Sequence, residues 1–119
     1  VRDIYFVGSV GDEERALYYS LASVFVYPSF FEGFGFPPLE AMACGTPVIA
    51  SRTSSLPEVV ADAGILVNPY DVVAIAGALS EVLRDQKLRE RLTQKGLARA
   101  QEYTWRRSAQ KTLDVLTRL

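Results

Sequence analysis

Apolar residues recur along this chain in two rhythms. Short runs rich in β-branched and aromatic side chains alternate with longer stretches where apolar residues return every three or four positions. The short runs are Ile4-Tyr5-Phe6-Val7, Val24-Phe25-Val26-Tyr27, Val48-Ile49-Ala50 and Ile65-Leu66-Val67. Each predicts a buried strand, and Gly8, Pro28 and Asn68-Pro69 punctuate three of them. The helical rhythm predicts a helix from Gly11 or Asp12 to Ser20 or Ala22, with Leu17, Tyr18, Leu21 and Ala22 towards the sheet. A second helix runs from Leu39 and closes at Gly45. Ser55-Leu56-Pro57-Glu58 reads as a capping box opening a short helix over Leu56–Ala61. Asp71 caps a helix to about Arg84, with Val72, Ile75, Ala76, Leu79, Val82 and Leu83 on one side. Asp85 begins a charged helix to about Glu102, anchored by Leu88 and Leu92. Thr104 caps the last helix, whose predicted buried stripe is Trp105, Ala109, Thr112, Leu113 and Leu116. Strands alternating with helices imply an α/β chain with about four parallel strands and right-handed crossovers. No internal repeat, low-complexity tract or linker interrupts it.

One connection differs from the others. Glu32-Gly33-Phe34-Gly35-Phe36-Pro37-Pro38-Leu39-Glu40 joins a strand's carboxyl end to a helix's amino end. In open α/β sheets that is where ligands bind. Gly33 and Gly35 allow close backbone approach. The helix start offers N–H groups and partial positive charge, suited to phosphate or sugar oxygens. Pro37 and Pro38 have no N–H, so the donors fall to Gly33, Phe34, Gly35, Phe36 and Leu39. Glu32 and Glu40 flank them, and a carboxylate can accept two hydroxyls, as in a vicinal diol. Each of these residues also has a plainer reading: a solvated loop carboxylate for Glu32, a first-turn helix carboxylate for Glu40 and a simple turn for the glycines.

Composition narrows the classes. A chain of 119 residues makes one domain or less, and 49% apolar content with a net charge of −1 fits a globular protein. The balance argues against a nucleic-acid surface, which would be basic. With no His and one Cys, a transition-metal site is not expected, and no internal disulfide can form. No apolar run is long enough to span a membrane. Cys44 reads as a small core residue. Ser51, Arg52 and Thr53 form a polar loop at another strand's carboxyl end. Tyr27 and Ser29 would shape a pocket wall, and Ser55 and Glu58 would serve as a cap.

The string from Pro28 to Ile49, with Glu-Gly-Phe-Gly, Glu-Ala-Met-Ala-Cys-Gly-Thr-Pro and glutamates eight positions apart, resembles retaining, GT-B-type group 1 glycosyltransferases. Pro57-Glu58, Gly64-Ile65-Leu66-Val67 and Tyr103-Thr104-Trp105 fit the same pattern, so the likeness covers essentially the whole chain. It implies a three-layer Rossmann-like domain, with residues 1–119 as the latter part of a carboxyl-terminal, donor-binding domain. Two of that domain's strands would be absent. The gap would close by direct pairing of the first two strands here, or the bare edges would promote self-association. The resemblance implies that Glu32 holds hydroxyls of the donor sugar and stabilises charge as the catalytic carboxylate. Glu40 would hold the ribose diol, and Gly33, Phe34, Gly35, Phe36 and Leu39 would face the sugar and diphosphate. The substrate would be a UDP-, GDP- or ADP-sugar, with no metal or other cofactor, in a cytoplasmic enzyme that could touch the membrane peripherally. The phosphate-facing Arg and Lys, and the acceptor domain, would lie elsewhere in a longer parent, leaving this piece inactive alone. The last helix would be an interdomain candidate. Two rivals remain: a GT-B nucleotide-sugar epimerase, which the Gly-Phe-Gly disfavours, and a non-catalytic interaction module. An upstream Arg and Lys would favour an enzyme over the latter.

Overall fold

The structure, a computed structural model, describes residues 2–119. Its order is α1 (Asp12–Leu21), β1 (Phe25–Tyr27), α2 (Phe36–Ala43), β2 (Val48–Ser51), α3 (Leu56–Val60), β3 (Ile65–Val67), α4 (Val72–Arg84), α5 (Gln86–Gln101) and α6 (Trp105–Leu116), with a 3-10 turn at Ala61–Ala63. The strands are parallel in the order β1-β2-β3. Val26 lies opposite Ile49, and Ile49 opposite Ile65.

β2 is buried on both faces, which is why its sequence is continuously apolar to Ser51. Side chains alternate across a strand. Val48 and Ala50 therefore pack with Tyr19, Ala41, Met42 and Val60 from α1, α2 and α3. Ile49 points the other way, onto Val67, Ala78, Val82, Leu88 and Leu92. The result is three layers around a central sheet. α5 joins the two outer layers, because Leu88 and Leu92 belong to the second core while Gly96 abuts Met42 of the first. Burying each large aliphatic side chain of these cores, such as Ile49 or Leu56, contributes about 1.5–3 kcal/mol.

Three caps form as the sequence predicts: Asp71, Asp85 and Thr104 accept from the amides of Ala74, Leu88 and Arg107. The predicted Ser55 cap does not form, since its hydroxyl makes no bond to its own helix. α2 begins at Phe36 rather than Leu39, because Pro37 and Pro38 fit the first turn, where no N–H is required.

The sheet has three strands, not about four. Ile4–Val7 adopts no strand, and Phe6 is 97% exposed. A strand needs a partner's hydrogen bonds, and no described residue pairs with this segment or with the outer edge of β1. Direct pairing of the first two predicted strands therefore does not occur. The stripe predicted for α1 is also misplaced: Tyr19 is the buried residue, whereas Leu17, Tyr18 and Leu21 are exposed. On α4, Ala78 and Val82 are buried, while Val72 and Leu83 face outward. α6 buries none of its residues, and Trp105 is 82% exposed. An apolar stripe is buried only where a second surface meets it, and no described element lies over these. The radius of gyration, 15.7 Å, exceeds the roughly 13.5 Å of a compact chain of this length, because both ends stand off the core.

Candidate functional site

β1 delivers the chain to Pro28, and the loop that follows is held from the side by the segment after β2. The amide of Glu32 donates to Ser54 Oγ at 2.9 Å. Ser55 Oγ donates towards the carbonyls of Phe34 at 2.7 Å and Glu32 at 2.9 Å. Thr53 Oγ1 donates to the Phe30 carbonyl at 3.2 Å. Ser54 reaches its position with φ of +54°, in the left-handed region that a Ser adopts only when its surroundings hold it there. The loop closes on Gly35, with φ of +109°, immediately before α2. A Cβ there would stand 2.7 Å from Leu56 Cδ2, so both the backbone angle and the space require glycine.

This clamp uses the carbonyls of the turn and the amide of Glu32. Among the described residues, the amides of Gly33, Phe34, Gly35 and Phe36 have no acceptor. They form a short row of open donors at the N-terminus of α2, where the helix dipole is positive. Leu39 lies beside them in the first turn, half-buried.

The two glutamates flank these amides along the chain, and each is held by a phenol. Tyr27 Oη donates to Glu32 Oε1 at 2.6 Å, and Ser29 Oγ donates to the same oxygen at 2.8 Å. Tyr19 Oη donates to Glu40 Oε2 at 3.1 Å, and Arg15 Nε approaches the same oxygen at 3.3 Å. Arg15 in turn pairs with Asp12 at 3.0 Å. The Tyr27 hydroxyl, and then that of Ser29, hold the Glu32 carboxyl below its ordinary range, so it is ionised at neutral pH. Burial, reinforced by the carboxylate it serves, pushes Tyr27 up to about 12; burial and Glu40 do the same for Tyr19. Both phenols therefore remain donors throughout the physiological range.

Aromatic rings frame the row. Phe34 packs on Phe36 at 4.7 Å and edge-on to Tyr103 at 5.7 Å. Arg99 braces this side: its guanidinium bonds the Val59 carbonyl at 2.9 Å, the Glu58 carbonyl, and Tyr103 Oη at 2.9 Å. Two open hollows, of about 660 Å³ by Glu81 and Lys87 and about 440 Å³ by Gly45 and Thr93, do not include any residue of the loop.

Of the predicted site residues, Glu32, Gly33, Phe34 and Gly35 lie in the loop between β1 and α2, and Phe36, Leu39 and Glu40 lie at the start of α2. The sequence reading missed Tyr19, Arg15, Ser54 and the positioning use of Ser55. Only the run of hydroxyls at 53–55 offered a signal, and the cap-like spacing of Ser55-Leu56-Pro57-Glu58 diverted it.

The sequence profile described as "Glycosyl transferases group 1" matches residues 2–99. The chain is 47% identical over 111 residues to O-antigen chain mannosyltransferase B of Escherichia coli, covering 93% of this chain and 29% of that protein. It is 40% identical over 120 residues to MMP alpha-(1->4)-mannosyltransferase of Mycolicibacterium hassiacum, covering 97% of this chain and 29% of that one. Sucrose-phosphate synthase from Thermosynechococcus elongatus superposes with a TM-score of 0.87 at 39% identity, over 96% of this chain and 29% of that structure. The chain therefore spans under a third of these relatives. Profile, relatives and parallel α/β architecture agree: the chain belongs to the group 1 glycosyltransferases, with the Rossmann-like layering of a GT-B fold.

Proposed function

We propose that these residues form part of the nucleotide-sugar site of a hexosyltransferase, as the latter portion of its carboxyl-terminal domain. The observation that carries this is the row of undonated amides between two anchored carboxylates. The amides of Gly33, Phe34, Gly35, Phe36 and Leu39 meet the diphosphate and sugar oxygens. Glu40 accepts from the ribose diol. Glu32 accepts from sugar hydroxyls and, being ionised, stabilises positive charge at the anomeric carbon as its bond to the diphosphate breaks. That electron pair leaves with the diphosphate oxygen. The acceptor oxygen bonds the anomeric carbon on the same face, giving retention, and its proton passes to the departing phosphate. Amides together with basic side chains elsewhere in the parent balance the diphosphate charge, so transfer proceeds without a divalent ion and survives a chelator. The printed names of two relatives make a mannosyl donor the first to test.

Among the described residues no helix is long and apolar enough to cross a membrane. The proposed parent is a cytoplasmic enzyme with peripheral membrane contact. The 119-residue piece transfers no sugar alone, and its bare strand edges favour self-association. The deciding experiment measures binding of nucleoside diphosphates and nucleotide sugars to the full-length parent. Glu40→Ala weakens both ligand classes; Glu32→Ala weakens only the sugar-bearing one. Equal weakening of the bare nucleotide by both variants refutes the assignment of roles.

A further inference from the structure

The two carboxylates are anchored in the same lopsided way. Glu32 receives both of its protein donors, Tyr27 and Ser29, on Oε1. Glu40 accepts from Tyr19 on Oε2, and the Arg15 guanidinium lies against the same oxygen as an ion pair at 3.3 Å. No described residue donates to Glu32 Oε2 or Glu40 Oε1. A carboxylate oxygen has about two good lone-pair directions. Two donors on Glu32 Oε1, and a donor with an adjacent cation on Glu40 Oε2, therefore engage one oxygen of each group and leave the other open.

We propose that each glutamate has an anchored oxygen and a working oxygen, and that Tyr27 with Ser29, and Tyr19 with Arg15, are the positioning residues that set this division. The inference rests on the nucleotide-sugar reading of the site. It adds that ligand hydroxyls converge on a single oxygen of each glutamate, Oε2 of Glu32 and Oε1 of Glu40, rather than spreading across both. The anchors come from separate parts of the fold. Tyr27 ends β1, and its ring stacks on Phe25 at 5.9 Å. Tyr19 is the one buried residue of α1, and its ring meets Phe25 edge-on at 5.1 Å. Both phenols thus project from rings fixed in the core, and each aims a charged group it does not itself replace. Arg15 and Ser29 complete the two sets from more exposed positions. A freely rotating carboxylate would meet a diol in many orientations; a pinned one meets it in one.

The test compares Tyr27→Phe and Tyr19→Phe in the full-length parent. Both substitutions keep the ring and its packing and remove only the donor. The readouts are affinity for GDP and for GDP-mannose, with UDP and UDP-glucose as a second pair, alongside thermal melting. Tyr27→Phe is expected to weaken the nucleotide sugar about tenfold and the bare nucleotide less than twofold. Tyr19→Phe is expected to weaken both about tenfold. Ser29→Ala should follow the Tyr27→Phe pattern, and Ser29→Thr should restore affinity; this pair carries the test if Tyr27→Phe misfolds. A purely structural role predicts lowered melting with the same loss on both ligands, or no loss on either, and that result overturns the proposal. Glu32→Ala and Glu40→Ala run in parallel. If they weaken binding while the tyrosine and serine variants do not, the division of oxygens is wrong and the site stands. If the glutamate variants bind as the parent does, the site reading falls and this inference with it.

Discussion

Substituting Gly35 by Ala attacks the loop at the residue where it turns into α2. Two separate penalties arise. The backbone there has φ of +109° and ψ of 52°, a conformation that costs an L-residue on the order of 1–3 kcal/mol. The added Cβ also stands 2.7 Å from Leu56 Cδ2. Leu56 is fully buried, so its side chain can give way only by repacking within the core, and overpacking of this kind costs about 1–3 kcal/mol. Against these, Ala narrows the unfolded ensemble and returns about 0.4–1 kcal/mol. The net loss is therefore about 1–6 kcal/mol, with a centre at ~3. Gly33→Ala is the internal control: its Cβ would meet nothing within 4 Å, and its φ is not positive. It should change stability by less than about 0.5 kcal/mol, or raise it slightly.

Native-state hydrogen exchange at the amides of β2 reads this in the full-length parent without requiring the whole protein to unfold as one unit. A loss of ~3 kcal/mol accelerates exchange of those amides by roughly a hundredfold. Binding should fall as well, because relieving the clash moves the open amides of Gly33 to Phe36. If Gly35→Ala and Gly33→Ala accelerate exchange equally, neither the positive φ nor the Leu56 contact constrains the loop, and the account of why glycine occupies that position fails.

Tyr27→Phe should raise the Glu32 carboxyl towards its ordinary value of 4.5, since the first cause of its depression is lost; carbon-detected NMR titration measures it. The sign of the stability effect follows. Stability from a depressed carboxyl is present in full above its unfolded value and is lost as the pH falls through the lowered one. The advantage of the parent over Tyr27→Phe should therefore shrink below about pH 4.5, and an advantage that grows with acidity would contradict the bond. Arg99→Lys should cost about 1.5–3 kcal/mol, because an ammonium cannot fork between the Glu58 and Val59 carbonyls and Tyr103. Hydrogen exchange near α3 is the readout, and a change under about 0.5 kcal/mol would remove Arg99 as the brace.

The loop proposed as the site could be singled out in the sequence because its signals are local. Glycines, prolines and glutamates lie within nine consecutive residues, and a strand run and a helix run bracket them. Asp71, Asp85 and Thr104 were legible for the same reason, since a cap reaches only three residues along its own chain. Ser55 had the same local signature and proved different. Its hydroxyl crosses 21 and 23 residues to the loop carbonyls. A cap would use the hydroxyl oxygen as an acceptor for an amide of its own helix, whereas here the hydroxyl proton goes to the loop, and nothing in the spacing of Ser55-Leu56-Pro57-Glu58 says which partner is nearer in space.

The misplaced stripes share a physical cause of another kind. A period of 3.6 or 2 reports that one face of an element is apolar; burial requires a second surface to meet that face. In α1 the turn carries apolar residues on more than one side, and the sheet takes the side bearing Tyr19. Period alone did not distinguish that side from the one bearing Leu17 and Leu21. Yet the choice matters chemically, because burying Tyr19 is what aims its hydroxyl at Glu40, 21 residues away. The same holds for Tyr27, which the sequence places in a pocket wall and which serves as a donor to Glu32. Core packing and site geometry are therefore one problem in this chain. The glutamates could be read from the loop's own text, but the groups that orient them follow from which face of α1 and which side of β1 the core selects.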